Sequence, residues 1–309
     1  MQLTHLEAFL CITDTGSISA ASVRMHMSQP NISMLLRSLE NEVGHSLIRR
    51  ERGRHKQLIL TDEGILFYEF AKNTLNAYDS FLIQAAKSFS QPEHPLKIIT
   101  GQTLSVTLVA SMIRVLRRQH PHLDVDVDVK PMSNMENIHA ALESPSCDFV
   151  IATHPVSDPQ YVSEKFFIDP FILICNHSLN IENVIPLDKL SSLPLVFREP
   201  TCDTMVTLTR SLQRNGLSTD KLQPALRVFG ASAVKETVKN GSLCGFVPMT
   251  SCSPDDFNNF RVVNVKGFDG TRSIFLIYEK TISQSSEARL FRRFVLGNDW
   301  RNAVFHISP

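Results

Sequence analysis

The helix-like stretch Gln29–Asn41 carries Gln29, Asn31, Ser33, Arg37, Ser38 and Asn41 off its apolar positions, with Met34 as the one apolar exception among them. Side-chain amides offer a donor and an acceptor side by side, which suits base edges in the major groove, and Arg reaches guanine or phosphate. Between His45 and Leu60, Arg49, Arg50, Arg52, Arg54 and Lys56 stand against Glu51, five positive charges less one negative, or +4. A local basic patch of this kind is what phosphate binding needs. A solvated loop has the same composition, so the neighbouring elements must decide. The chain as a whole holds 31 basic and 31 acidic residues, and its net charge points nowhere.

A second kind of chemistry sits at two turns. Thr100-Gly101-Gln102-Thr103 and Thr201-Cys202-Asp203-Thr204 each follow a short apolar run and precede a helical stretch. Ligands of α/β sheets bind outside the carboxyl ends of strands, near helix N-termini. The candidates for a small-molecule site are therefore Thr100, Gln102, Thr103, Thr201, Cys202 and Thr204. Helix capping explains the same threonines without a ligand. Asp203 disfavours a strongly anionic ligand there.

The six cysteines show no C-x-x-C pair and no zinc spacing, so reduced, packed thiols are expected. Cys202 admits a redox reading with Cys244 or Cys252 as its partner, and a packing reading beside it. His120-Pro121-His122 lacks a third metal ligand and reads as a solvated helix end. No motif positions a catalytic nucleophile, a nucleotide phosphate or a catalytic zinc, so a non-enzyme without metal or cofactor is expected. No secretory signal and no membrane-spanning run is seen, and a cytoplasmic protein with no membrane partner follows.

The elements that must hold these residues follow from periodicity. Thr4-His5-Leu6-Glu7 fits a capping box for a first helix, which Gly16 ends. Ser17 caps a short second helix with small Ala20 and Ala21. Ser28 caps a third, with Pro30 in its first turn. Ile32, Leu35, Leu36, Leu39 and Val43 form its narrow apolar stripe, and Gly44 ends it. The basic run then loops around Gly53 and returns through Leu58-Ile59-Leu60 as a two-stranded wing. Helix, turn, helix and wing form a DNA-reading module, with the helix-turn-helix at about 18–37.

From Asp62 to about Phe89 the chain lacks Pro, and Phe67, Phe70, Ala71, Leu75, Tyr78, Phe81, Leu82, Ala85 and Phe89 recur at helical steps. Such a helix needs a cover, either a second subunit or its own C-terminal region. Ser90–Pro95 breaks it. Beyond, apolar runs at Leu96–Ile99, Val125–Val129, Phe149–Ile151, Phe171–Ile174, Leu195–Phe197, Gly245–Val247 and Ile274–Ile277 alternate with helical stretches. These include Ser105–Arg118, Asn134–Glu143, Met205–Asn215 and Ser232–Asn240. This is an α/β region. Its chain is expected to cross between two lobes near Lys165 and Val265.

Gly16-Ser17-Ile18-Ser19-Ala20-Ala21, Ser28-Gln29-Pro30-Asn31-Ile32-Ser33, Leu39-Glu40-Asn41-Glu42-Val43-Gly44, Leu47 with Arg50, and Leu60-Thr61-Asp62-Glu63-Gly64 together closely resemble the LysR-type transcriptional regulators. The resemblance is tight to Gly64 and looser beyond. It implies a multidomain protein: an N-terminal all-α winged helix-turn-helix over residues 1–60, and a long linker and dimerisation helix over 61–90. A C-terminal α/β, two-lobed, periplasmic-binding-protein-like effector domain spans 91–309, with lobe I at about 91–165 and 266–309 and lobe II at about 166–265. By the same resemblance, Gln29, Pro30, Ser33 and Met34 would face bases. Ser17 and Asn31 would belong to the same DNA-binding surface. Ser28, Arg37 and the wing residues Arg50, Arg52, Arg54 and Lys56 would hold phosphates. Met34 departs from the family's basic or polar residue and cannot donate a hydrogen bond. The implied partners are double-stranded promoter DNA, an unidentified small-molecule effector between the lobes, and a second copy forming a dimer that pairs into a tetramer. RNA polymerase is a further candidate partner.

Overall fold

The computed structural model describes residues 1–25, 27–50, 58–89, 95–132, 135–145, 147–200, 202–218, 222–281, 285–297 and 300–301. It divides into two compact units, Met1–Pro92 and Glu93–Pro309.

In the first unit α1 (Leu3–Thr15) ends on Gly16, whose φ of 68° is left-handed. Its start differs from the Thr4 capping box. Gln2 is the N-cap, and its N–H donates to Nδ1 of His5 at 3.1 Å. The helix gains its earlier turn because Leu3 packs against the core of the unit. α2 (Ile18–Arg24) is capped by Ser17, whose hydroxyl accepts from the Ala20 N–H at 3.0 Å. α3 (Gln29–Val43) is capped by Ser28 through the Asn31 N–H at 3.4 Å and ends on left-handed Gly44. Its stripe meets Leu6, Phe9, Ile12 and Ala21 through buried Ile32, Leu36 and Leu39. Burial of each such side chain stabilises by roughly 1.5–3 kcal/mol.

The strands β1 (Ile48–Arg50) and β2 (Leu58–Leu60) pair antiparallel, Ile48 opposite Leu60 and Arg50 opposite Leu58. α4 (Asp62–Phe89) has 28 residues, about 42 Å at the α-helical rise. Its apolar residues form two faces rather than one stripe. Phe67, Ala71 and Leu75 join the core of the unit. Leu66 (76% exposed), Phe70, Tyr78 and Phe81 (65%) point outward in the single chain. Adjacent helical positions lie about 100° apart, so Phe70 and Ala71 cannot share one cover.

The second unit is built on a mixed sheet of β3 (Leu96–Thr100), β4 (Val125–Val129), β5 (Phe149–Ala152), β6 (Tyr161–Asn176), β7 (Val184–Pro186), β8 (Leu195–Phe197), β9 (Leu226–Arg227), β10 (Cys244–Pro248), β11 (Phe260–Lys266) and β12 (Thr271–Glu279). The order is β4-β3-β5-β12-β6-β10-β8-β9, with β11 pairing β6 and β7. β3 is parallel to both β4 and β5, and β8 is parallel to both β9 and β10. The helices are α5 (Gln102–Leu104), α6 (Ala110–Gln119), α7 (Met135–Leu142), α8 (Asp203–Arg214), α9 (Ala231–Asn240) and α10 (Ser286–Leu296). The helical stretch expected from Ser105 begins earlier, at Gln102, and contains a π-helical turn, Ser105–Val109.

β6 carries the chain from one lobe to the other. Up to Pro170 it pairs with β12; from Phe171 it pairs with β10, and β11 covers its far end. The return lies between Lys266 and Thr271, where β11 ends and β12 begins. Both changes of partner fall slightly beyond Lys165 and Val265. Each lobe has its own core: Ile99, Ile138, Val150 and Ile277 under α7 in one, Leu173, Leu208, Leu212 and Phe246 under α8 in the other.

Candidate functional site

The outer face of α3 presents Gln29, Pro30, Asn31, Met34, Arg37, Ser38 and Asn41 to solvent, with Ser33 half-buried between them. Met34 is 62% exposed. These side chains, Asn31 apart, line one shallow groove. The acids of the same helix are engaged elsewhere. Oε1 of Glu40 accepts from the N–H of Leu47 at 2.8 Å, from the N–H of Ile48 at 3.3 Å and from the Ser46 hydroxyl at 3.1 Å. Glu42 pairs with the N-terminal ammonium. A carboxylate that would repel phosphate is thus drawn off the groove and used to fix the entry into β1.

The wing is held from behind. The Thr61 hydroxyl donates to the Ser46 carbonyl at 2.7 Å and accepts from the Gly64 N–H at 2.9 Å, while the Thr61 N–H donates to the Leu47 carbonyl at 3.0 Å. Arg50 lies in β1 opposite Leu58. Arg52, Arg54 and Lys56 lie outside the described residues. Ser17 and Ser28 use their oxygens as helix caps and keep their O–H groups as donors.

At the first ligand turn, Thr100 is fully enclosed and its hydroxyl donates to the Ile151 carbonyl at 3.0 Å. Gly101 caps α5, and a Cβ there would stand 3.1 Å from Cβ of Met132. Gln102 is exposed and Thr103 half-buried. At the second turn, Thr204 is enclosed and its hydroxyl accepts from Arg198 at 3.5 Å. Cys202 is the N-cap of α8 and half-buried, and Thr201 lies outside the described residues. Of the expected ligand residues with described structure, the turns leave Gln102, Thr103 and Cys202 reachable and fold the hydroxyls of Thr100 and Thr204 inward.

A polar cluster joins the lobes beside the second turn. Nε of Arg272 on β12 lies 2.9 Å from Asp169 Oδ2 on β6, and another of its nitrogens lies 3.5 Å from Asp203 Oδ2. Asp169 is fully enclosed and also accepts from the Thr250 N–H at 2.9 Å and hydroxyl at 2.6 Å. From the other lobe, Nε2 of His154 lies 3.7 Å from Asp203 Oδ1. The Thr107 hydroxyl of the π turn donates to the Ser251 carbonyl at 3.4 Å. Sequence reasoning missed Asp169, Thr250 and Arg272. The signal was a carboxylate and a guanidinium inside or beside long apolar runs, where an unpaired charge is not tolerated.

Among the cysteines, burial and a shared hydrogen bond move the thiols in both directions: Cys244 is lowered by its bond with Cys175, while the others with a resolved shift are raised. Burial pushes the Cys202 thiol up, against the pull of Arg198 and of backbone N–H groups at the start of α8. Burial pushes Cys252 up to about 12. Cys244 faces Cys175 across β10 and β6, both fully enclosed, and the Cys175 thiol is raised by its hydrogen bond to Cys244 and by burial. His120, at the end of α6, packs edge-on against the Phe294 ring at 6.5 Å.

Comparisons with known proteins agree with this layout. Residues 3–65 match the model of the "Bacterial regulatory helix-turn-helix protein, lysR family", and residues 89–299 match the "LysR substrate binding domain". The chain is 26% identical over 302 residues to the RuBisCO operon transcriptional regulator of Allochromatium vinosum, covering 96% of each. It is 23% identical over 300 residues to the HTH-type transcriptional activator CmpR of Synechocystis, covering 96% of this chain and 95% of that one. Among solved structures, the fold is similar to that of CbnR, a LysR family transcriptional regulator, with a TM-score of 0.54, 18% identity and coverage of 96% and 100%. It is similar also to a Corynebacterium glutamicum OxyR C206 mutant, with a TM-score of 0.54, 22% identity and coverage of 98% and 92%. With both family models spanning the two units in turn, the chain belongs to the LysR family of transcriptional regulators, joining a DNA-binding helix-turn-helix to an effector-binding domain.

Proposed function

We propose that this regulator reads promoter DNA with Gln29, Pro30, Ser33 and Met34 against base edges, while Ser17, Ser28, Asn31, Arg37 and the wing residues Arg50, Arg52, Arg54 and Lys56 anchor the backbone. The observation that carries the reading is the exposed, acid-free groove of α3, from which Glu40 and Glu42 are held away. CbnR, a structural neighbour with a TM-score of 0.53, has been solved in full length with its target DNA. The division of labour runs along residues 1–60, 61–90 and 91–309. The exposed Leu66, Phe70, Tyr78 and Phe81 of α4 supply the face on which a second copy pairs, so that two heads reach two half-sites. Dimers pair into tetramers, and RNA polymerase is the partner that converts occupancy into transcription.

The effector is a small molecule that meets Gln102 and Thr103 from one lobe and Thr201 and Cys202 from the other, with the enclosed Thr100 and Thr204 shaping the turns. Asp203, in the first turn of α8, occupies the place where helix N–H groups attract an anion, so the effector carries no strong negative charge at that end. Its binding shifts the population of subunit arrangements and with it the spacing of the heads and the bend of the DNA. The protein acts in the cytoplasm and is not an enzyme; among the described residues no helix is long and apolar enough to cross a membrane.

The test is retention of duplexes selected from a random pool by the full-length protein. Binding should fall steeply with salt. Gln29→Ala should relax sequence preference more than general affinity, and Arg37→Ala should weaken all duplexes alike. The reverse pattern would exchange the reading and anchoring roles. Loss of neither would remove α3 from the interface.

A further inference from the structure

α2 and α3 meet on the solvent side of the first unit. There Nε2 of Gln29 donates to the hydroxyl oxygen of Ser19 at 3.2 Å. Both residues are exposed, so water would satisfy either group and the bond adds little to folding. What it fixes is direction. Ser19 sits in the first turn of α2, one residue from the start of the helix. That turn is pinned by the Ser17 cap and by the Ser22 hydroxyl, which donates to the Ser19 carbonyl at 2.8 Å. Gln29 opens α3 and is otherwise a long, freely rotating side chain. Holding it before DNA arrives removes part of the ordering cost of binding.

The bond also selects which atoms remain free. A glutamine amide has two N–H donors and one carbonyl acceptor. Oε1 and a second N–H are left over, and the reading of a base requires that the hydrogen given to Ser19 be the one trans to Oε1, so that these two groups share one edge. Adenine shows the complement in the major groove, an N6 donor beside the N7 acceptor. Guanine shows two acceptors, which would set Oε1 against one of them. Thymine offers an acceptor and a methyl group, and cytosine a donor alone.

We propose that Ser19 is a positioning residue, which sets the amide of Gln29 to read an adenine. This rests on the assignment of Gln29 as a base reader. Ser19 itself touches no base and acts only through that amide.

The experiment uses the full-length protein and the variants Ser19→Ala, Ser19→Thr and Gln29→Ala, each selecting duplexes from a random pool. The wild type should select adenine at a fixed position of each half-site. Gln29→Ala and Ser19→Ala should both flatten that position, and Ser19→Thr, which keeps the hydroxyl, should restore it. The double variant should flatten it no further than Gln29→Ala. Placing 7-deazaadenine, which lacks the N7 acceptor, at that position should weaken wild-type binding by roughly fivefold to a hundredfold. It should leave Ser19→Ala nearly unaffected, and Ser19→Ala should bind unrelated duplexes as the wild type does. If Ser19→Ala selects the same adenine as strongly while Gln29→Ala does not, Gln29 reads without Ser19 and the positioning role falls. If Gln29→Ala also leaves selection intact, Gln29 is no reader and both ideas fall. Equal loss of binding to all duplexes by Ser19→Ala would make its role structural and overturn the proposal.

Discussion

A Cβ on Gly64 would stand 2.0 Å from the carbonyl oxygen of Leu47 and 3.0 Å from its carbonyl carbon. The two shortest approaches are to backbone, which cannot swing aside as the nearby Leu60 side chain at 3.2 Å could. The first turn of α4 therefore lies directly on the backbone that leads into the wing. The same carbonyl oxygen accepts from the Thr61 N–H at 3.0 Å, and Thr61 caps the turn through Gly64.

Gly64→Ala should accordingly push α4 off β1 and loosen the wing. Overpacking of this kind costs about 1–3 kcal/mol, and a backbone clash belongs at the upper end. Hydrogen exchange at residues 46–50 and 58–61 should quicken, and affinity for all duplexes should drop, while exchange in the second unit stays as it was. Wild-type exchange in the wing of the variant would show that the close approach is not maintained in solution.

The Asp169–Arg272 pair makes a complementary prediction for the second unit. Asp169 is enclosed and accepts three bonds, from Arg272 and twice from Thr250. Asp169→Ala leaves a largely enclosed guanidinium without its main counter-charge, and breaking a buried pair costs about 3–5 kcal/mol. The thermal transition of the second unit should fall markedly. Replacing both partners by apolar residues of similar volume should recover much of the loss, because no unpaired charge remains. If the double variant is no more stable than Asp169→Ala, packing rather than charge holds this point of the hinge.

How much of this was legible in the sequence depends on distance along the chain. α2 and α3 were, because Ser17, Ser28 and Gly44 act within three or four residues of themselves. The start of α1 was not, since Gln2–His5 and Thr4–Glu7 offer equivalent spacings and Leu3 decides between them by packing. α10 was missed although Ser285 caps it and Ala288, Phe291 and Val295 keep helical steps inward. The apolar runs around Asp169 and Arg272 signalled buried charges, but not their pairing: Asp169, Thr250 and Arg272 meet only because β6 pairs with both β10 and β12. The same limit applies to the ligand turns. Which of their hydroxyls point inward depends on Ile151 and Arg198, and for Thr100 that partner lies on another strand.

Asp256 gives the protein a handle on acid stability. Burial raises its carboxyl, but the Lys235 ammonium at 2.7 Å and the Ser253 N–H at 2.7 Å lower it further, and it ends below its ordinary value. A carboxyl depressed on folding adds stability that is present above its unfolded value, about 3.9, and is lost as pH falls through the folded one. Urea unfolding of the wild type should therefore weaken in that acid range more than unfolding of Asp256→Asn. The two should differ most near neutrality and converge at the acid end. Parallel curves would mean that the pair with Lys235 contributes nothing to folding.

Met34 is the place where this chain departs from a donor-bearing recognition helix, and its exposure makes the departure testable. A thioether at 62% exposure, four residues after Pro30 and three before Arg37, stands in the groove with no hydrogen to give. The one feature of the major groove that rewards such a side chain is the C5-methyl group of thymine. Replacing thymine by uracil removes that methyl and leaves every hydrogen-bonding atom in place. On duplexes selected by the full-length protein, substitution at a single thymine should weaken wild-type binding by roughly twofold to tenfold, the worth of one buried methyl-sized contact. Met34→Ala should lose affinity for the thymine duplex by a similar factor and become indifferent to uracil. If no thymine in the selected site behaves this way, Met34 faces solvent in the complex, and operator choice rests on Gln29, Ser33 and the shape of the DNA alone.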